Sequence, residues 1–276
     1  MVVRKVRQAL LEFDVITTRE PMFQFKDLQF DYDPYPIGYA KDVFPLSLYH
    51  EMVSNYPAQE LFQFKAKLGN KYSLSEVNNP EQYHQFIRSN SIWKKVHDEV
   101  KHPEFVTQVL DVLAKNQVDL GLSGKIDVIN DAAAARGARW RSAVESFRFG
   151  VPKKKPIKTR FEFSMLPADG GHIRPHTDGP NKFITLVIAC MPENEWHSDY
   201  GGGTAVLKAK EPNRIFNHLN KYQDFEETET LKTFPFVPNQ CVLFVKTFNS
   251  LHAVAPMTQA GSKIMRKTLT INIETI

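Results

Sequence analysis

The chain has 276 residues, 35 basic and 31 acidic side chains, a formal charge of +4, and a composition that is 42% hydrophobic and 24% charged. That length allows one large domain or two small ones with a substantial core, and the composition excludes disordered and fibrous classes. The charge excess is too weak to imply a nucleic-acid partner. The opening MVVRKVRQALLEFDV is too charged for a secretory leader. The longest apolar run, FITLVIACM, is too short to span a bilayer, so no membrane partner is expected. Cys190 and Cys241 sit inside apolar runs and read as small core residues in a reducing cytoplasm.

Elements are predicted in two blocks. DPYPIGYAKDVFP (33–45) reads as an early strand that feeds a helix over 45–57, opened by Pro45 and Leu46. Residues 80–120 carry helical apolar spacing broken at Pro103, and 131–147 is rich in helix formers. The basic cluster Lys153, Lys154, Lys155, Lys158 and Arg160 predicts a solvated connector. Its sharper reading is a patch that steers anionic ligands. From there the pattern turns to strands: 160–166, 183–190, 203–209, 241–248 and 266–273. An insertion, Glu211 to Pro238, separates two of them, with a helix predicted near 213–222. Short strands without long intervening helices predict an antiparallel sandwich or barrel. The expected fold is mainly β with helices (α+β). Residues 1–150 form a mainly helical region packed on one sheet of a 151–276 core, the two integrated as one domain.

Four tripeptides have the form His-x-Asp or His-x-Glu, which with a distant His makes a two-histidine, one-carboxylate iron site. His97-Asp98-Glu99 lies in a helical stretch, where i and i+2 diverge. His102-Pro103-Glu104 has no strand around it. His176-Thr177-Asp178 follows a strand and a turn, where strand alternation would aim both side chains at one metal. His197-Ser198-Asp199 is a rival, mounted on a loop. His252, directly after the strand 241–248, is the best distal ligand. On the last strand Leu269, Ile271 and Ile273 share one face, and Arg266, Thr268, Thr270 and Asn272 share the other. A guanidinium on that polar face suits a dicarboxylate.

With these segments together, the chain resembles the iron(II)/2-oxoglutarate oxygenases, in particular their prolyl-hydroxylase-like branch. FSMLPADGGHIRPHTDGPNKFITLVIAC, GGGTAVLK, PNQCVLFVKTFNSLHAVAP and RKTLTINI carry the resemblance, over about residues 158–276. It selects His176 and Asp178 over the rival, because Gly202-Gly203-Thr204 stands too close behind Asp199. The resemblance implies a double-stranded β-helix (jelly-roll, cupin-like) core. It implies iron(II) on His176, Asp178 and His252, and 2-oxoglutarate anchored by Arg266 with Thr268 beside it. Members of the branch often place a Tyr on the strand before the metal pair. FEFSML has none, so that role is vacant or passes to Ser164 or Arg160. The implied reaction consumes O2, with ascorbate as a stimulant, releases succinate and CO2, and hydroxylates an unactivated C–H. The implied substrate is a small molecule or a peptidyl residue, its entrance shaped by the N-terminal helices and the 211–238 insertion. Asp178 distinguishes the chain from related halogenases, which lack the carboxylate. The competing expectation is a cupin-like metal-binding protein or a metal-dependent hydrolase.

Overall fold

The computed structural model describes residues 21–131, 134–135 and 154–276. The helix predicted over 131–147 falls almost wholly outside them, as does Lys153 of the basic cluster. The first part of the chain gives strands β1 (Gln29–Asp31), β2 (Ile37–Ala40), β3 (Gln63–Lys65), β4 (Lys71–Ser75) and β5 (Ile126–Val128). It also gives helices α1 (Leu46–Ser54), α2 (Pro80–Ser89), α3 (Ser91–Lys101) and α4 (Pro103–Lys115). The breaks between helices follow local chemistry. The Asn90 side chain caps α3 by accepting from the Trp93 N–H at 3.1 Å, and proline opens both α2 and α4.

The second part supplies eight strands: β6 (Lys155–Pro167), β7 (Ile173–His176), β8 (Lys182–Ala189), β9 (Thr204–Ala209), β10 (Thr228–Phe234), β11 (Cys241–Val245), β12 (His252–Val254) and β13 (Met265–Thr275). They divide between two antiparallel layers, alternating except at β9 and β10, which pair as neighbours in one layer. The larger sheet runs β1-β2-β11-β8-β13-β6-β4-β3, with β5 beside β6, and the smaller runs β10-β9-β12-β7. Strands that switch sheets in this order form a double-stranded β-helix.

Alternation along β6 and β13 assigns the two faces of the large sheet. Phe161, Phe163 and Met165, with Leu269, Ile271 and Ile273, pack outward against the helices. Trp93 of α3 is fully buried there, its ring 4.7 Å from Phe163, and its indole N–H donates to Asn55 O at 2.8 Å. One apolar cluster thus joins α1 to α4 with the outer face of the barrel. Arg160, Glu162, Ser164, Leu166, Arg266, Thr268 and Thr270 take the opposite phase and line the interior.

Three expectations are corrected. No α-helix forms near 213–222: the stretch has a short 3-10 turn at Pro212–Arg214, and the insertion contains β10, which pairs with β9. His252 does not follow a long strand, because β11 ends at Val245 and His252 opens β12 in the other sheet. Among the described residues, the helices expected at the cavity entrance do not line the cavity. They cover the outer face, and none of α1 to α4 contributes a lining residue. Both cysteines are buried, and burial pushes the Cys190 thiol up to about 12.

Candidate metal centre

His176 ends β7, His252 opens β12, and the two residues are direct partners in that strand pair. Register therefore brings the imidazoles together, with ring centroids 4.4 Å apart. Asp178 arrives by another route than the strand alternation expected. The chain has left β7, and Asp178 takes a left-handed backbone conformation (φ +66°). That turn returns its carboxylate to the histidines, Oδ1 lying 3.8 Å from His176 Nε2. One ligand atom from each of the three residues lies within 4.8 Å of the others.

The donors fit a divalent iron. His176 Nδ1 lies 2.9 Å from Arg174 O, and His252 Nδ1 lies 2.9 Å from Ser250 O. A neutral imidazole that donates from Nδ1 leaves the Nε2 lone pair for a metal. Burial, then the neighbouring His252, pushes His176 down to about 3, and burial lowers His252 as well, so both rings are neutral at pH 7. Burial alone would raise Asp178, but Lys182 and the two imidazoles outweigh it and hold the carboxyl far below its usual range. Lys182 Nζ lies 2.6 Å from Asp178 Oδ1, and the Thr185 hydroxyl donates to Oδ2 at 2.8 Å. Two neutral imidazoles and one carboxylate suit iron(II) and leave coordination positions open. Phe244 stacks on His252 at 4.2 Å, and Tyr222, from the insertion, tilts over His176 at 5.6 Å.

The rival tripeptides stand apart. His197 and Asp199 are exposed in a loop. His97 packs on Phe161 from α3, and His102 caps α4.

The triad opens into one cavity that also receives Ser164, Thr268 and Arg266, so every site residue singled out in the sequence lines the same space. Arg266 is buried, paired across strands with Leu166 and next to the apolar cluster that contains Leu166 and Phe236. Its Nε donates to Gly202 O at 2.6 Å, and its guanidinium sits 4.2 Å over the Phe236 ring. Burial lowers it to about 9, so it stays charged at neutral pH. Among the described residues no carboxylate pairs with it. A buried cation with an open fork is a seat for a carboxylate that arrives with a ligand. Thr268 and Ser164 are cross-strand partners on the inner face, and Thr268 Oγ1 lies 3.3 Å from Ser164 O. Lys267, in the other phase, points to the outer side near Tyr56.

Residues 161–274 match the family model described as the 2OG-Fe(II) oxygenase superfamily. The match takes in His176, Asp178, His252 and Arg266, so the segment similar to that superfamily contains the whole candidate centre. The chain is also similar to solved structures at low identity. A Pseudomonas putida prolyl-4-hydroxylase matches at 12% identity and TM-score 0.42, over 89% of this chain and 96% of that one. HygX from Streptomyces hygroscopicus, with nickel and 2-oxoglutarate bound, matches at 8% and 0.44, over 88% and 84%. The non-heme alpha ketoglutarate dependent epimerase SnoN from nogalamycin biosynthesis matches at 10% and 0.44, over 87% and 78%. No curated protein matches the sequence.

Several residues that shape the candidate site carry little or no signal in the sequence. Thr185 is a lone hydroxyl in the apolar run FITLVIAC, a signal that it serves a buried acceptor. Lys182 gave no signal, because it reads as a turn residue. Glu162 is a lone acid in RFEFSML, alternating with Phe161 and Phe163. It is buried, 2.7 Å from Lys71 Nζ and 3.1 Å from the Ser73 hydroxyl. Burial alone would raise Glu162, but Lys71 and Arg160 outweigh it and hold it at about 2.

Lys71→Met should therefore destabilise the fold by about 3 kcal/mol at neutral pH, since it strands a buried carboxylate. The folded pKa of Glu162 lies below the ordinary 4.5. Its stabilisation is present above 4.5 and lost as pH falls towards 2. The gap between wild type and variant in urea denaturation should narrow as pH drops below 4.5. A gap independent of pH would show that Lys71 acts by packing alone.

Gly202 is the other position that sequence motifs flag without explaining. Its φ is +73°, and an added Cβ would meet Trp196 at 2.8 Å and Arg266 Cδ at 3.1 Å. Gly202→Ala should displace the Arg266 fork and raise the 2-oxoglutarate requirement by roughly ten-fold. Iron content should stay at the wild-type level. Unchanged 2-oxoglutarate binding by calorimetry would refute the link to Arg266.

Proposed function

We propose that the chain is an iron(II)- and 2-oxoglutarate-dependent oxygenase that hydroxylates an unactivated C–H of a small-molecule or peptidyl substrate. It uses iron(II), 2-oxoglutarate and O2 and releases succinate and CO2. The reading rests on one observation: the triad and the Arg266 seat line the same cavity. The bound iron would supply oxidative decarboxylation of the cosubstrate and oxygen transfer. The chain's own residues do the rest. Arg174 O and Ser250 O fix the rotation of His176 and His252, so that Nε2 of each ring faces the metal position. Thr185 and Lys182 hold the Asp178 carboxylate against them. Arg266 takes the far carboxylate of the cosubstrate, with Thr268 and Ser164 along its path, and Gly202 O fixes the guanidinium from behind. Val187, Phe244, Val254 and Leu166 form apolar walls that limit water.

A hydrolase would need a base near the metal that titrates close to neutrality. The cavity's carboxylate outside the triad, Glu162, is held at about 2 by its cationic neighbours and does not supply one.

The test is a substrate-library screen on protein reconstituted with iron(II) without air. Succinate formation is followed after adding 2-oxoglutarate, O2 and ascorbate. Substrate-dependent succinate that vanishes in His176→Ala supports the proposal. Wild-type protein that binds no 2-oxoglutarate would refute it.

A further inference from the structure

The inner face of the large sheet carries a second guanidinium, Arg160, which also lines the cavity. The geometry points to Arg160 as the recognition residue for an oxyanion group, a carboxylate or phosphate, on the primary substrate. This rests on the oxygenase reading above and adds a substrate class to it.

Strand register separates the two arginines. Arg266 pairs with Leu166, whereas Arg160 pairs with Asn272. Those rows are six residues apart along β6, about 20 Å at ~3.3 Å per residue. Asn272 is also the partner of Thr185, and the Thr185 hydroxyl reaches both Asn272 Oδ1 (3.0 Å) and Asp178 Oδ2 (2.8 Å). Arg160 therefore stands in the row of Thr185, which holds the Asp178 carboxylate, and six residues along β6 from the row of the Arg266 seat. A cosubstrate anchored at Arg266 and reaching the metal leaves the Arg160 row free for the molecule to be oxidised.

Charge and hydrogen bonding around Arg160 are both incomplete. Lys71 bonds Glu162, Lys182 bonds Asp178, and Lys158 lies 3.5 Å from Glu274. Each of those acids has its cation, and among the described residues no carboxylate lies within salt-bridge distance of Arg160. Among the described residues, Arg160 Nε is buried without a hydrogen-bond partner, and so is Nδ2 of the fully buried Asn272 across the strand pair. Two adjacent buried donors, one on a cation, call for a ligand acceptor that carries negative charge. A substrate oxyanion seated there would hold a nearby C–H towards the metal position.

The experiment uses the full chain with nickel in place of iron, saturated with 2-oxoglutarate. Ligand-observed NMR and calorimetry measure binding of straight-chain carboxylic acids, the matching alkyl phosphates and the matching primary amides. At least one oxyanion series should bind, the amides should not, and the series that binds distinguishes carboxylate from phosphate. Arg160→Gln should weaken that binding roughly 10- to 100-fold. It should leave 2-oxoglutarate affinity within about two-fold. Arg160→Lys, which keeps the charge, should retain part of the binding and checks that the fold survives. Equal binding of acids and amides, or no binding by either oxyanion series, would overturn the proposal. So would a loss in Arg160→Gln that falls on 2-oxoglutarate instead. Failure of wild-type protein to bind 2-oxoglutarate is a separate result: it defeats the oxygenase reading and this one with it.

Discussion

Asp178→Asn protein is expected to lose iron affinity by more than about 100-fold, beyond the 10- to 100-fold typical of outer-shell partners. Asn is the informative replacement because the position has φ +66°, a region that Asn and Asp tolerate better than Ala. The backbone turn is kept, and only the charge and one ligand oxygen are altered. Two neutral imidazoles would remain, without the anion that offsets a divalent cation. Lys182 would face the site unpaired, adding repulsion. Iron content after anaerobic purification, and competition with a coloured chelator, measure the effect. Thr185→Val removes one hydrogen bond to the same carboxylate and should cost less, in the 10- to 100-fold range. His197→Ala should change neither number, since His197 is exposed away from the cavity. Iron retained at wild-type affinity in Asp178→Asn would remove the carboxylate from the ligand set.

How legible this was depended on the physical source of each signal. The last strand was readable because burial imposes a two-residue period. Leu269, Ile271 and Ile273 face the helices, and Arg266, Thr268 and Thr270 face the cavity. His176 and Asp178 were found by their spacing, but through a wrong local geometry. The strand stops at His176, and a left-handed residue does what alternation was expected to do. A single positive φ leaves no compositional trace when the residue is Asp. β7 and β12 are short, and no run of strand-forming residues marks them. They exist because they pair with each other and because β12 also pairs with β9, a tertiary fact. The insertion misled for a related reason. NRIFNHLNKY has helical apolar spacing, yet Phe216 and Leu219 end up exposed, and Phe216 stacks on Phe248 instead of entering a core. The basic cluster proved to be mixed. Lys154 is exposed, whereas Arg160 reaches the cavity, and only the alternation in RFEFSML separates the two.

Arg266→Met is the second large effect, and its two halves should diverge. Affinity for 2-oxoglutarate should fall by roughly 100-fold or more, because a forked pair of charge-assisted hydrogen bonds at about 1.5–3 kcal/mol each is removed. Stability should not fall with it. The guanidinium is buried over the Phe236 ring with no carboxylate partner among the described residues, and burial has already lowered its pKa to about 9. An apolar side chain of similar reach spares that desolvation, so the ligand-free variant should melt at or above the wild-type temperature. Saturating 2-oxoglutarate should raise the melting temperature of wild type and leave the variant unmoved, because a ligand stabilises only a fold that binds it. Arg266→Lys should fall between the two, keeping the charge but losing the fork and the stacking on Phe236. If Arg266→Met instead unfolds while the protein that remains folded binds 2-oxoglutarate normally, the arginine is a structural strut. The cosubstrate carboxylate would then have to be seated by another residue.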